Sequence, residues 1–80
     1  MNELLKRVEE LRRLKNGWNG ENSKFFSDAA IQSGIKWAKE IITRFPEVDQ
    51  NYIQVIPSIG DEIHFEFKLN NALVFIVANS

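Results

Sequence analysis

Residues 62–78 read Glu62-Ile63-His64-Phe65-Glu66-Phe67-Lys68-Leu69-Asn70-Asn71-Ala72-Leu73-Val74-Phe75-Ile76-Val77-Ala78. The first eight alternate polar and apolar residues, the period of a strand with one face on a core and the other in water. Asn70-Asn71 then offers a two-residue hairpin turn, because Asn tolerates positive φ. Ala72 to Ala78 form the return strand. A two-residue loop pairs Leu69 with Ala72, Phe67 with Val74, Phe65 with Ile76 and Ile63 with Ala78, and paired residues share a face. Val74 and Ile76 then join the core, while Leu73, Phe75 and Val77 stand beside Lys68, Glu66 and His64 on the other face. A loop one residue longer inverts this parity and makes Val74 and Ile76 the misfits. With either loop, the last strand is apolar on both faces.

Upstream, Tyr52-Ile53-Gln54-Val55-Ile56 reads as a strand, and Pro57-Ser58-Ile59-Gly60-Asp61 as the turn that joins it to the alternating one. Further back, a helix is predicted over about 28–44. Ser27 is suited to its N-cap, Asp28 to its first turn, and Phe45-Pro46 to its end. Ile31, Ile35, Ala38, Ile42 and Phe45 lie on one stripe, which Ala30, Gly34, Trp37 and Ile41 widen to an arc of roughly 160°. Gly34 lies inside that arc, where it would allow another backbone to come close; its cost against Ala in mid-helix is roughly 1 kcal/mol. A first helix is predicted over 3–15 from Leu4, Leu5, Val8, Leu11 and Leu14, with Asn2 as its cap and Gly17 as its left-handed stop. The expected fold class is α+β: one domain over 1–80, with two N-terminal helices packed on a three-stranded antiparallel meander.

Between the helices, Asn16-Gly17-Trp18-Asn19-Gly20-Glu21-Asn22-Ser23-Lys24-Phe25-Phe26 is rich in turn residues yet holds three large aromatics. Those rings are expected to pin the loop to the core. Trp18 would cover the junction of the helices, or stand out as an aromatic anchor for a partner. Leu14-Lys15-Asn16-Gly17-Trp18-Asn19-Gly20, followed by Ser27-Asp28-Ala29-Ala30 and by Glu62-Ile63-His64-Phe65-Glu66-Phe67, resembles a pattern in small, functionally uncharacterised bacterial and phage-encoded proteins. In these a Gly-Trp-Asp/Asn-Gly loop precedes a Ser-capped helix and a short β-meander. The resemblance spans roughly residues 4–78 and implies a fold but no catalytic residues. Asn19 stands where Asp is commoner in the pattern, and Phe67 where Trp is commoner.

Eighty residues make one domain with a thin core, since a chain of this size buries only about 60–65% of its unfolded surface. Cysteine is absent, which excludes disulfides and thiolate metal sites. Packing and self-association are the staples that remain. At 44% hydrophobic and 26% charged residues, the composition is that of a folded globule rather than a disordered chain. No apolar run approaches the roughly 20 residues of a membrane span, and the first residues lack a signal peptide's apolar core. A cytoplasmic location is expected, the host cytoplasm if the chain is phage-encoded. Net charge is −1, with +3 on residues 1–44 (nine Lys/Arg, six Asp/Glu) and −4 on residues 45–80 (one Lys, five Asp/Glu).

Little in the sequence supports catalysis. His64 lies between Glu62 and Glu66, but strand neighbours two apart are about 6.5–7 Å from each other, a poor match to ligands about 2 Å from one ion. No Ser or Thr has an evident base, Gly17-Trp18-Asn19-Gly20 lacks the Lys-Ser/Thr ending of a phosphate loop, and Glu9/Glu10 and Asp61/Glu62 are adjacent surface pairs. No catalytic residue, metal or cofactor is expected.

The surplus is the last strand, which a meander leaves at the edge of the sheet. Uncharged apolar edges invite pairing. Burying three such side chains would stabilise an interface by roughly 5 kcal/mol before association costs. The sequence therefore predicts a non-enzymatic protein-binding module acting through the sheet, with Leu73, Phe75, Val77, Trp18, Glu62 and Glu66 as interface residues. The partner would be another protein or a second copy of the chain. Small inhibitors of anti-CRISPR or toxin-neutralising type fit that description. The alternative within one domain is that helix 1 or the C-terminal residues cover the strand. A second functional reading is a nucleic-acid-binding accessory protein using Arg12, Arg13, Lys15 and Lys24. Glu3, Glu9 and Glu10 dilute that basic patch, and the pI of 5.8 opposes it.

Overall fold

A computed structural model of the chain describes residues 3–14, 26–58 and 60–79. Helix α1 (Glu3–Glu10) continues into a 3-10 turn (Leu11–Arg13). Helix α2 (Asp28–Arg44) is followed by a second 3-10 turn (Gln50–Tyr52) and by strands β1 (Gln54–Ser58), β2 (Glu62–Leu69) and β3 (Ala72–Asn79). The strands form one antiparallel sheet in the order β1-β2-β3. Both helices lie on the same side of it, which is the expected α+β arrangement. Among the described residues, no helix is long and apolar enough to cross a membrane.

The core lies between helices and sheet. Leu4 and Val8 of α1, Ala30, Ile31, Ala38 and Ile41 of α2, and Ile63, Phe65 and Phe67 of β2 are all buried. Phe45, just past α2, tilts its ring against Phe67 with centroids 5.4 Å apart. Gly34 sits where α1, α2 and β2 converge. A Cβ there would stand 2.8 Å from Ile63 Cδ1 and 3.0 Å from Val8 Cγ1. Two side chains, rather than the backbone expected from the sequence, use the space this glycine leaves.

The β2–β3 hairpin has the register that a two-residue loop dictates: Leu69 faces Ala72, Phe67 faces Val74, Phe65 faces Ile76 and Ile63 faces Ala78. Asn70 and Asn71 both take positive φ, at 51° and 67°, the pair of left-handed residues that matches the twist of a hairpin.

Three boundaries differ from the sequence-based expectation by more than one residue. Helix α1 stops at Glu10 rather than near Lys15, because Leu14 N–H bonds to the Leu11 carbonyl at 3.1 Å and tightens the chain into a 3-10 turn. In that geometry residues three apart eclipse, so Leu11 and Leu14 both pack against the core. Strand β1 begins at Gln54 rather than Tyr52. Arg7 donates through Nη1 to the Ile53 carbonyl at 2.6 Å and through Nη2 to the Gln50 carbonyl, and Asp49 Oδ1 accepts from Asn51 N–H, so residues 50–52 turn instead of extending. Pro57 and Ser58, expected in a turn, belong to the strand. Pro57 opposes Ile63, and an edge strand tolerates a residue without an N–H donor. The expected caps at Asn2 and Gly17 lie outside the described residues.

Ser27 caps α2 as its sequence position predicts: its Oγ accepts from Ala30 N–H at 3.0 Å. The same hydroxyl donates to Asp61 Oδ2, while Ser27 N–H donates to Asp61 Oδ1 at 2.9 Å. Asp61 has φ 64° and follows Gly60 at φ 92°, so the β1–β2 turn is shaped to present this carboxylate to the start of α2.

Filling the space at Gly34 opposes helix propensity to packing. The closest atom, Ile63 Cδ1 at 2.8 Å, is the end of a flexible side chain and can turn aside, whereas Val8 is β-branched and stiff in a helix and cannot yield to a new methyl. We expect Gly34→Ala to lower stability by about 1 kcal/mol, overpacking outweighing the propensity gain. In a Val8→Ala background the same change should be neutral or stabilising. A double-mutant cycle by urea denaturation reads this coupling, and additive effects would refute the contact.

Candidate functional site

The face of the sheet turned away from the helices is built from alternate residues of all three strands. The register places Ser58, Glu62 and Asn79 in one row, Ile56, His64 and Val77 in the next, Gln54, Glu66 and Phe75 in the third, and Lys68 and Leu73 in the last. Charge is confined to the central strand, and the β3 side of each inner row is apolar. Leu73 is 61% exposed, Phe75 53% and Val77 40%. Three consecutive outward positions on one strand thus show large hydrophobic side chains to solvent, far from the scattered single residues usual on a surface. Of the sequence-predicted interface residues, the structure brings Leu73, Phe75, Val77, Glu62 and Glu66 onto this one face. Trp18 lies outside the described residues.

The charged row and the stripe touch. Phe75 sits opposite Glu66 and packs edge-on against the His64 ring, with centroids 5.1 Å apart. His64 Nε2 lies 3.1 Å from Glu62 Oε1 two residues back on the same strand, a contact that orients the imidazole along the strand. Among the described residues, no three His, Asp or Glu side chains converge as metal ligands would.

The basic first third is arranged differently. Arg12 reaches Glu9 Oε2 at 2.8 Å and Asp28 Oδ1 at 2.7 Å. Its pKa is raised above the ordinary arginine value, first by the hydrogen bond it donates to Glu9 and then by the one it donates to Asp28. A guanidinium held by two carboxylates ties the 3-10 turn to the start of α2 and has less to offer a phosphate. Arg13 is exposed; Lys15 and Lys24 lie outside the described residues.

No protein-family model, curated protein or solved structure matches this chain.

One feature of the face was not legible in the sequence. Tyr52, read there as the start of a strand, is 77% exposed in the turn before β1. With Glu47, Asp49 and Asn70 it borders an open groove of about 610 Å³ that runs into the stripe at Glu66 and Leu73. The turn that exposes Tyr52 is held by Arg7 from α1 together with the Asp49 side chain, and the Asp49 cap was the one local signal for it. On the helical side, Trp37 is 41% exposed beside Lys36, Glu40 and Arg44.

Since the stripe lies outside the core, it should matter little to folding of the isolated chain. At low protein concentration, Leu73→Ser and Phe75→Ser are expected to change unfolding free energy by less than about 1 kcal/mol. Phe65→Ala, its neighbour on the buried face, should cost about 3–5 kcal/mol. Urea titrations compare them, and a loss at Phe75 equal to that at Phe65 would place the stripe in the core.

Proposed function

We propose that this chain is a non-catalytic protein-binding module that works through the outer face of its sheet. The observation that supports this is the exposed run of Leu73, Phe75 and Val77 on β3, bordered by Glu62, His64, Glu66 and Lys68 on β2. An apolar strip with a polar rim is the anatomy of a protein interface, and a large aromatic at its centre is the residue type that most often carries binding energy. The strip is open to water on the side away from the helices, so a partner can approach without rearranging the fold. The groove beside Tyr52 and Leu73 extends the same surface toward the end of the sheet. A module of this kind acts by occupying the surface of a larger protein, as an inhibitor or a toxin-neutralising partner does.

The test is capture from bacterial lysate by the immobilised chain, with Phe75→Asp in parallel and circular dichroism confirming that the variant is folded. A near-equimolar protein that binds the wild type, whose binding to the purified chain is weakened at least about thirtyfold by Phe75→Asp, fits the reading, since removal of a central anchor costs about 2 kcal/mol or more. Equal binding by wild type and variant would overturn it.

A further inference from the structure

Strand β3 has two unsatisfied aspects, and the outward side chains are only one of them. The other is its free edge. Among the described residues, β3 pairs with β2 alone, so one side of an eight-residue strand presents unpaired backbone groups. Even the side chains that point toward the helices are incompletely covered here: Val74 and Ile76 are only half-buried, whereas Phe65 and Phe67 on the neighbouring strand are fully enclosed. Ala78, the inward residue near the end of the strand, is fully buried, so the helices cover that end and leave the middle of the strand partly open.

The residues along the edge have a second property. Ala72-Leu73-Val74-Phe75-Ile76-Val77-Ala78 carries no charge and reads nearly the same in both directions about Phe75. An antiparallel neighbour is read in reverse. A second copy of β3 placed antiparallel about Phe75 would therefore set Ala72 against Ala78, Leu73 against Val77, Val74 against Ile76, and Phe75 against its own counterpart. Every pair joins side chains of like character, outward residues meet outward residues, and Asn71 and Asn79 fall opposite each other at the ends. A shift of one residue would set outward side chains against inward ones, and a shift of two would set Leu73 against Asn79 or Val77 against Asn71.

We infer that β3 pairs edge to edge with a second copy of this chain in that register, giving a continuous six-stranded sheet. The charges do not oppose it. The Glu66 side chains of the two copies would be three strand spacings apart, about 14 Å, beyond the screening length of about 8 Å in physiological salt. Pairing completes the cover over Val74 and Ile76 and satisfies the edge. On the outer face it merges two stripes into one apolar band of six side chains, with a charged row of β2 on each flank. The protein-binding face is then composite, half from each copy. The inference uses the backbone edge of β3 and needs no foreign partner, so it stands or falls separately from the function proposed above.

The experiment has two parts, both on the full chain by itself. Light scattering at micromolar concentration should give twice the 9.3 kDa of one chain. Register is then read by disulfide trapping, for which the chain is suited because it has no cysteine of its own. Residues 73 and 77 of opposite copies would have Cα atoms about 4.5–5.5 Å apart, inside the range of about 4.4–6.8 Å that a disulfide spans. Two copies of residue 73 would be offset by four positions, about 13 Å along the strand. Oxidising a mixture of Leu73→Cys and Val77→Cys should give a crosslinked dimer at least about tenfold faster than oxidising either variant alone. A monomeric mass for the unaltered chain would overturn the inference. So would Leu73→Cys crosslinking to itself as fast as in the mixture.

Discussion

The fold depends on a side chain that is missing. At Gly34 two helices and the central strand come together closely enough that even a methyl group would press on Val8 and Ile63. Glycine in mid-helix weakens the helix by roughly 1 kcal/mol, and here the close approach of three elements offsets that cost. Val8 of α1 and Ile63 of β2, both fully buried, fill the space, so α1 reaches the sheet across α2 instead of lying apart from it. In a chain of eighty residues, where little surface can be buried, this close contact lets a thin core hold three elements at once.

Polar contacts then fix how these elements are oriented. Arg7 reaches from α1 to carbonyls of Gln50 and Ile53, more than forty residues along the chain. Charged donors to backbone carbonyls count for more than neutral ones, and this pair sets where the chain leaves its turn and becomes β1. Ser27 and Asp61 act in the same way at the other end of α2, joining the helix cap to the β1–β2 turn. Hairpin and helix are thus held by two polar anchors on either side of the apolar contact at Gly34.

A consequence of this arrangement is that both helices lie on one side of the sheet. The outer face of β2 is polar and suited to water. The outer face of β3 is not, and β3 is also an edge. Natural sheets usually defend such edges with charge, proline or a covering segment. Strand β1, the opposite edge, carries Pro57; β3 carries neither proline nor charge from Ala72 to Ala78. That difference between the two edges is what makes β3 the interaction strand in the function proposed here.

Much of this was readable from residues 62–78 alone. Side chains on a strand alternate with period two, and two asparagines able to take positive φ suit a two-residue loop, so the sequence narrowed the hairpin to two registers, of which the structure holds the one with the two-residue loop. The Ser27 cap and the span of α2 were legible for the same reason, since caps and helix periodicity act over a few residues. The start of β1 and the exposure of Tyr52 were not, because Arg7 helps to determine them from more than forty residues away, and the end of α1 was not, because the leucine spacing that suggests a continuing α-helix suits a 3-10 turn as well. The sequence by itself determined that β3 would be apolar on both faces. Only the tertiary structure decided which face stays open: α1 and α2 meet at Gly34 on one side of the sheet, and Leu73, Phe75 and Val77 point to the other.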